Sequence, residues 1–170
     1  MSIGQGVLGF DIIPSAGWRQ DWAWGVPLIM LTVVIHVLGL GLVNIKAVDF
    51  FNRRIHHGYP TALFALVISA VTVLATVLHA VEAGAWAACF LFLGARPDVK
   101  SAMLYSLGAM TTYGSGLLLE PQWRLLGAIE ALSGWLLFGM TTAFLFGTIQ
   151  KCHQIIGLEK PSHSQSRRDG

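Results

Sequence analysis

Apolar residues along this chain fall in long uninterrupted runs, rather than in the short alternations that mark a half-buried strand. The runs cover about 22–45, 61–78 and 123–149. A helix that crosses a bilayer needs about 20 predominantly apolar residues, so each run is close to that length or exceeds it. The pattern predicts an all-α integral membrane protein with three transmembrane helices.

A shorter apolar segment lies between the second and third runs. Pro97 and Asp98 are typical helix-opening residues, and 99–110 is only long enough for a helix that reaches halfway across a bilayer. It leads into the sequence TTYGSG at 111–116 and a short exit at 117–121. Since the segment is too apolar for a soluble loop, we expect a re-entrant helix and loop that enter the membrane and return.

Composition and charge agree with a membrane protein and indicate its orientation. Only 12% of the residues are charged, about half the usual share in soluble domains. The net charge of +2 is too small to suggest a nucleic-acid partner. The basic residues are enriched in 46–59 and in the tail, so the positive-inside rule places both in the cytoplasm and the N-terminus outside the cell membrane.

These patterns divide the chain into five predicted parts. They are an extracytoplasmic segment at 1–21, an extra transmembrane helix at 22–45, a cytoplasmic loop at 46–60, a pore domain at 61–150 and a cytoplasmic tail at 151–170.

The Thr-x-Gly-x-Gly pattern after the half-length helix has a chemical meaning in this setting. Non-helical backbone at membrane depth is tolerated where it lines water or is buried in protein. Several copies of such a loop can point carbonyl oxygens at a shared axis, where the oxygens replace the water around a cation. Glycine permits the positive φ that this backbone needs, and the C-terminal end of the half-helix favours a cation nearby.

The C-terminal half of the chain, without the tail, resembles bacterial members of the pore-loop (two-transmembrane, "ion channel") potassium channel family. The similar stretches begin near His79 and include Ser101-Ala102-Met103-Leu104-Tyr105-Ser106, Thr111-Thr112 before the Gly-x-Gly, Trp123-Arg124-Leu125-Leu126-Gly127, Ile129-Glu130-Ala131 and Leu136-Leu137-Phe138-Gly139. The resemblance implies a homotetramer in membrane lipid that passes monovalent cations, without an enzymatic step. The expected species in the pore is K⁺ or Na⁺, with no other cofactor or metal.

The same resemblance assigns an ion-selectivity filter and shows where this chain departs from the family. The family has a small or β-branched aliphatic residue at the position of Tyr113, an aromatic residue at Ser115 and an acid at Leu117. These departures predict relaxed selectivity between K⁺ and Na⁺. The implied filter residues are Thr111, Thr112, Tyr113, Gly114, Ser115 and Gly116.

Four residues outside the loop are predicted to support the filter or the gate. Glu130 lies about two turns inside the third run, where a charge is expensive without a partner. We expect it to support the filter from behind, together with Ser106. Gly134 and Gly139 are candidates for a gating hinge, and close packing of small residues explains them equally well.

Two other classes of function stay open. A non-conducting scaffold or auxiliary subunit with a degenerate channel fold is favoured by Ser115 and Leu117. A membrane enzyme or metal site would use His36, His79 and Glu82. His79 and Glu82 share a helix face because they are three residues apart. The sequence places no further ligand beside them, and His36 is expected to pack inside the protein.

Overall fold

The computed structural model describes residues 15–54, 59–114, 116 and 119–159, and it is all helical over these residues. Three of its helices are long and apolar enough to cross a membrane, which confirms the predicted membrane class. The elements are α1 (Ser15–Arg54), α2 (Pro60–Phe92), α3 (Val99–Met110), a 3₁₀ turn (Pro121–Trp123) and α4 (Arg124–Glu159).

The long helices extend well past the predicted spans. α1 continues through Arg54, so most of the segment predicted as a loop at 46–60 is helical. α2 is one helix that includes His79 and Glu82, and α4 continues to Glu159, into the predicted tail. Hydropathy marks where a helix meets lipid, while residues such as Lys, Gln and Glu continue a helix into water because their helix propensity is high.

The helix predicted at 99–110 is confirmed as α3. Asp98 precedes it with extended backbone, and its carboxylate accepts a hydrogen bond from the Ser101 amide at 3.0 Å. This N-cap satisfies one of the amides that have no partner in the first turn of a helix. The helix ends at Met110, and Thr111 is its C-cap.

The three long helices alternate in direction. The start of α1 meets the start of α4, where Gly25 lies against Ile129. Further along both helices, His36 meets Thr141, so α1 and α4 run parallel. α2 begins at Pro60 and runs antiparallel to both, since Gly39 of α1 lies against Leu78 while His36 lies against Glu82. As a result, α3 and the loop after it lie at the end where α1 and α4 begin.

Tyr105 fixes α3 between α2 and α4. Its ring packs edge-on against Phe90 of α2 at a centroid distance of 5.2 Å. The Arg96 guanidinium lies 4.9 Å from the centre of the same ring. On the other side a Cβ at Gly127 of α4 would collide with the Tyr105 hydroxyl. Glycine at 127 is what allows Tyr105 to reach this position.

The two candidate hinge glycines have different surroundings. A Cβ at Gly134 would lie 2.5 Å from the Met110 carbonyl oxygen and 2.6 Å from Met110 Cα. α3 therefore ends directly against α4 at a point where no side chain fits. A Cβ at Gly139 meets no atom within 4 Å in the described part of the chain.

This difference predicts opposite effects of alanine on stability. Gly134→Ala should destabilise the protein by about 1–3 kcal/mol, because the methyl group meets backbone that cannot easily move. Gly139→Ala is the matched control on the same helix, and it should stabilise by up to about 1 kcal/mol through helix propensity. Thermal unfolding in detergent measures both; equal effects at the two positions would contradict the packing described here.

The Asp98 cap predicts a small pH dependence of stability. Hydrogen bonds from the Ser101 backbone and side chain hold the pKa of Asp98 below its usual value. The cap therefore stabilises fully above about pH 4, the ordinary pKa of Asp, and its contribution is lost as the pH falls through the lowered pKa. Asp98→Ala should lower the melting temperature at neutral pH, whereas Asp98→Asn should retain it because Asn caps helices equally well. A variant Asp98→Ala that melts like the parent at pH 7 would exclude this role.

Candidate functional site

The loop after α3 folds back onto the end of that helix. The Thr111 hydroxyl donates to the Leu107 carbonyl at 2.6 Å, and the Thr111 amide donates to the same carbonyl at 3.1 Å. The Gly114 amide donates to the Gly108 carbonyl at 3.2 Å. These bonds use amides and a hydroxyl of the loop, and they keep its first residues close to the C-terminal end of α3.

Three described residues of this loop have left-handed backbone. Positive φ occurs at Thr112 (56°), Gly114 (72°) and Gly116 (62°), whereas Tyr113 between them is not in the positive region. Among the described residues, Thr112 is the one non-glycine with positive φ. Such a conformation costs on the order of 1–3 kcal/mol for a residue with a side chain, and it is concentrated at functional sites. Ser115 of the predicted filter lies outside the described residues.

The loop is exposed on the surface of a single chain. Thr111, Thr112, Gly114 and Gly116 are all exposed, and the Tyr113 side chain is 89% exposed. A single chain therefore leaves the described residues of the loop uncovered.

A group of buried polar side chains lies where α3 meets α4. Ser106 of α3 and Glu130 of α4 are fully buried, and the Ser106 hydroxyl lies within reach of the Glu130 carboxyl. Ser133, one turn along α4, is also buried. None of the three side chains makes a hydrogen bond of standard geometry with the rest of the described chain. The fold thus brings the two predicted supporting residues together, without a formed bond between them.

A second polar cluster lies deeper between the three long helices. His36 of α1 contacts Glu82 of α2, with Nδ1 2.8 Å from Oε1. His79, one turn before Glu82, places its Nδ1 3.0 Å from Oε2. The other ring nitrogens both meet the Thr141 hydroxyl of α4, at 3.1 Å from His36 Nε2 and 3.0 Å from His79 Nε2. We call these four residues the His–Glu cluster.

The His–Glu cluster is almost closed to its surroundings. His36 and Glu82 are fully buried, and His79 is 25% exposed. The two imidazole rings lie 5.1 Å apart between centroids. Although Glu82 Oε2 lies close to His79 Nδ1, it accepts no hydrogen bond from the described residues. One carboxylate oxygen therefore lies buried beside a ring nitrogen without an aligned hydrogen between them.

Sequence spacing accounts for only part of this cluster. The predicted sharing of one helix face by His79 and Glu82 is confirmed by their contact. His36 belongs to the same candidate metal site in the sequence analysis, although spacing could not show that it lies beside them. Thr141 was missed, because it comes from a third helix. The available signal was the position of His36 inside an apolar run, since an ionisable residue in a membrane helix usually has a polar partner on another helix.

The loop and the His–Glu cluster offer different chemistry. The loop presents backbone carbonyl groups and exposed hydroxyl groups, which are hard oxygen ligands for a cation. The His–Glu cluster presents two imidazole nitrogens and a carboxylate, whose ligand atoms all lie within 4.8 Å of one another. Two imidazoles with a carboxylate form a ligand set typical of transition metals.

Comparison with known protein families, with curated proteins and with solved structures gives no match to this chain. The similarity to pore-loop potassium channels therefore stays a prediction from the residues quoted above, and the geometry of the loop and of the His–Glu cluster is the basis for any functional proposal.

Proposed function

We propose that this protein conducts monovalent cations through a pore formed by several copies of the chain, four around one axis, with residues 111–116 lining the narrowest part. The observation that carries the proposal is the positive φ at every second residue, Thr112, Gly114 and Gly116. A backbone that alternates between right-handed and left-handed residues aims its amide groups at one side. Its carbonyl groups then face the opposite side, as a row of cation ligands.

The direction of the amides supports this assignment. The Gly114 amide donates to a carbonyl of α3, and we infer that the carbonyl groups of the loop face away from that helix. The C-terminal end of α3 carries partial negative charge and leads directly into the loop. Both features favour a cation at the exposed face.

The depth of α3 also supports a re-entrant segment. With 12 residues, α3 is about 18 Å long, well short of a bilayer core of about 30 Å. Met110 at its end lies beside Gly134, ten residues into α4, or about 15 Å along that helix. The loop therefore starts near the middle of a span and returns to the 3₁₀ turn at its beginning.

Assembly follows from the exposure of the loop. Irregular backbone at membrane depth must line water or be covered by protein, and one chain leaves this loop uncovered. Large apolar side chains of α4, among them Trp135 (70%) and Phe138 (69%), are also exposed. Closed rotational symmetry of identical chains places several loops around one axis and lets α4 of one copy contact its neighbours.

We expect flux assays to test the role of the loop. The purified protein is reconstituted in liposomes, and K⁺ and Na⁺ fluxes are measured under opposite gradients. Gly114→Ala should abolish flux, because a residue with a Cβ resists φ near +72° and would turn the peptide groups of the loop. The ratio of K⁺ to Na⁺ flux should be lower than that of a strictly K⁺-selective pore, given Tyr113, Ser115 and Leu117.

Gly94→Ala is the matched control for strain. Gly94 has a similar φ of 68° and an equally open surrounding, but it lies between α2 and α3. The same penalty of about 1–2 kcal/mol for a left-handed residue should leave flux close to that of the parent. If both variants lose flux equally, the loss is due to lower stability of the protein and not to the geometry of the loop. Absence of flux from assembled parent protein, under varied pH and lipid composition, would favour the non-conducting scaffold.

Glu130 should act on the pore through the buried group behind the loop. Glu130→Gln keeps the size of the side chain but replaces one acceptor oxygen with a donor, next to Ser106 and the end of α3. We expect an effect on the order of tenfold in flux or in the K⁺ to Na⁺ ratio, the size that corresponds to about 1.4 kcal/mol. Glu120→Gln, which removes an exposed carboxylate beside Gln122, is the control. If Glu130→Gln assembles and conducts like the parent, Glu130 does not support the filter.

A further inference from the structure

The His–Glu cluster has too few hydrogens for its contacts. The Thr141 hydroxyl has a single hydrogen, and the Leu137 carbonyl one turn earlier accepts it at 3.1 Å. Both imidazoles must then donate from Nε2 to the two lone pairs of the Thr141 oxygen, at 3.0 and 3.1 Å. A neutral imidazole carries only one N–H group. Each Nδ1 is therefore a lone pair that faces the carboxylate of Glu82.

In these tautomers the lone pairs of two ring nitrogens face the oxygens of one carboxylate, and either Nδ1 protons or a metal cation can lie between them. His36 Nδ1 lies 2.8 Å from one carboxylate oxygen and His79 Nδ1 lies 3.0 Å from the other. Glu82 Oε2 is fully buried and accepts no hydrogen bond from the described residues. A buried carboxylate oxygen that accepts no hydrogen bond and lies beside a ring nitrogen is an arrangement typical of metal ligands whose lone pairs point to one position.

We propose that His36, His79 and Glu82 bind one divalent transition-metal ion of the Zn²⁺ class, with the Nδ1 atoms and the carboxylate as ligands. Ligand atoms around tetrahedral Zn²⁺, with bonds of about 2.1 Å, lie about 3.4 Å apart. One potential ligand atom from each of the three residues lies within 4.8 Å of the others. The two Nδ1–oxygen contacts of 2.8 and 3.0 Å are shorter than the spacing around Zn²⁺, so each must lengthen by roughly 0.5 Å when the ion binds. Because His79 is 25% exposed, its side of the site is the place for a fourth ligand and for entry.

Thr141 completes the site as a positioning residue. Histidines that bind a metal usually donate their other N–H group to an oxygen, which fixes the tautomer and the orientation of the ring. Here one hydroxyl accepts both Nε2 hydrogens and donates its own to α4. The three ligands and their common partner come from three helices, so metal binding ties α1, α2 and α4 together.

The net charge of the site is the same with a divalent ion as with a proton on both Nδ1 atoms. With the Thr141 hydroxyl directed at Leu137, the alternative is two imidazolium groups beside one carboxylate, which carry one net positive charge. A divalent ion with two neutral imidazoles and the same carboxylate also carries one net positive charge. The ion replaces the two Nδ1 protons and places the charge at the centre of the ligands.

The test measures metal binding by the full chain in detergent, purified with a tag that contains no histidine and stripped with chelator. All variants are built on a background in which His56, His57, His153 and His163 are replaced by Gln, so that His36 and His79 are the remaining imidazoles. Calorimetric titration with Zn²⁺ should give one saturable site per chain in this background. Titration with Co²⁺ should give the visible absorption bands of four-coordinate Co²⁺.

Glu82→Gln and His36→Gln should each weaken Zn²⁺ binding by at least about 100-fold, because loss of even an outer partner of a ligand costs about 10–100-fold. Thr141→Val should weaken it by about 10–100-fold on the same basis. Glu159→Gln is the matched control, since it removes a carboxylate far along α4. The result does not depend on conduction, so it is separate from the proposed function.

Three outcomes would overturn the metal site. The first is the absence of saturable Zn²⁺ binding to the background protein, which is expected if the Thr141 hydroxyl turns to one imidazole and a single proton is shared around Glu82. The second is binding that Glu82→Gln leaves unchanged, which would place the ion elsewhere. The third outcome applies if the variants fail to fold, because only the background protein can then be measured. A Co²⁺ spectrum of that protein that shows only six-coordinate metal would exclude the site.

Discussion

A carboxylate between membrane helices has no water to solvate it, so its partners must come from the protein itself. Glu82 lies about two thirds of the way along α2 and is fully buried, and its two oxygens lie next to His36 and His79. Removing one partner of a buried charge costs about 3–5 kcal/mol, which is comparable to the whole stability of many domains. The contact between His36 and Glu82 therefore determines how α1 packs on α2. The contact between His36 and Thr141 constrains α4 in the same way.

Small residues on α4 then determine where α3 can lie. Gly127 leaves room for the Tyr105 ring, and Gly134 leaves room for the backbone at Met110. Thr141 follows Gly134 by seven residues, so the His–Glu cluster lies about 10 Å further along the same helix. A shift of α4 that changes the contacts of Thr141 must also change its contact with the end of α3. The loop and the cluster are thus connected through one rigid helix.

Local sequence predicted much of this fold, because membrane burial and helix capping depend on neighbouring residues. The three apolar runs and the bounds of α3 are examples, and Asp98 caps α3 as its position indicates. Hydropathy could not predict that α1 extends to Arg54, since a helix does not end where the bilayer does. Glycine at 114 and 116 predicted positive φ in the loop. Positive φ at Thr112 could not be predicted from the sequence, because a β-branched residue adopts it only under tertiary constraint.

The His–Glu cluster was beyond local sequence for a different reason. Its residues are far apart in sequence, by 46 residues between His36 and Glu82 and by 105 between His36 and Thr141, and only helix packing brings them together. The cluster gives α1 a structural role that the sequence analysis did not predict, since that analysis treated α1 as an extra helix outside the predicted pore domain. Without α1, Glu82 Oε1 would lose its 2.8 Å partner, and one face of the buried cluster would meet lipid. The polar chemistry of α2 and α4 therefore requires α1, and the three helices form one unit around Glu82.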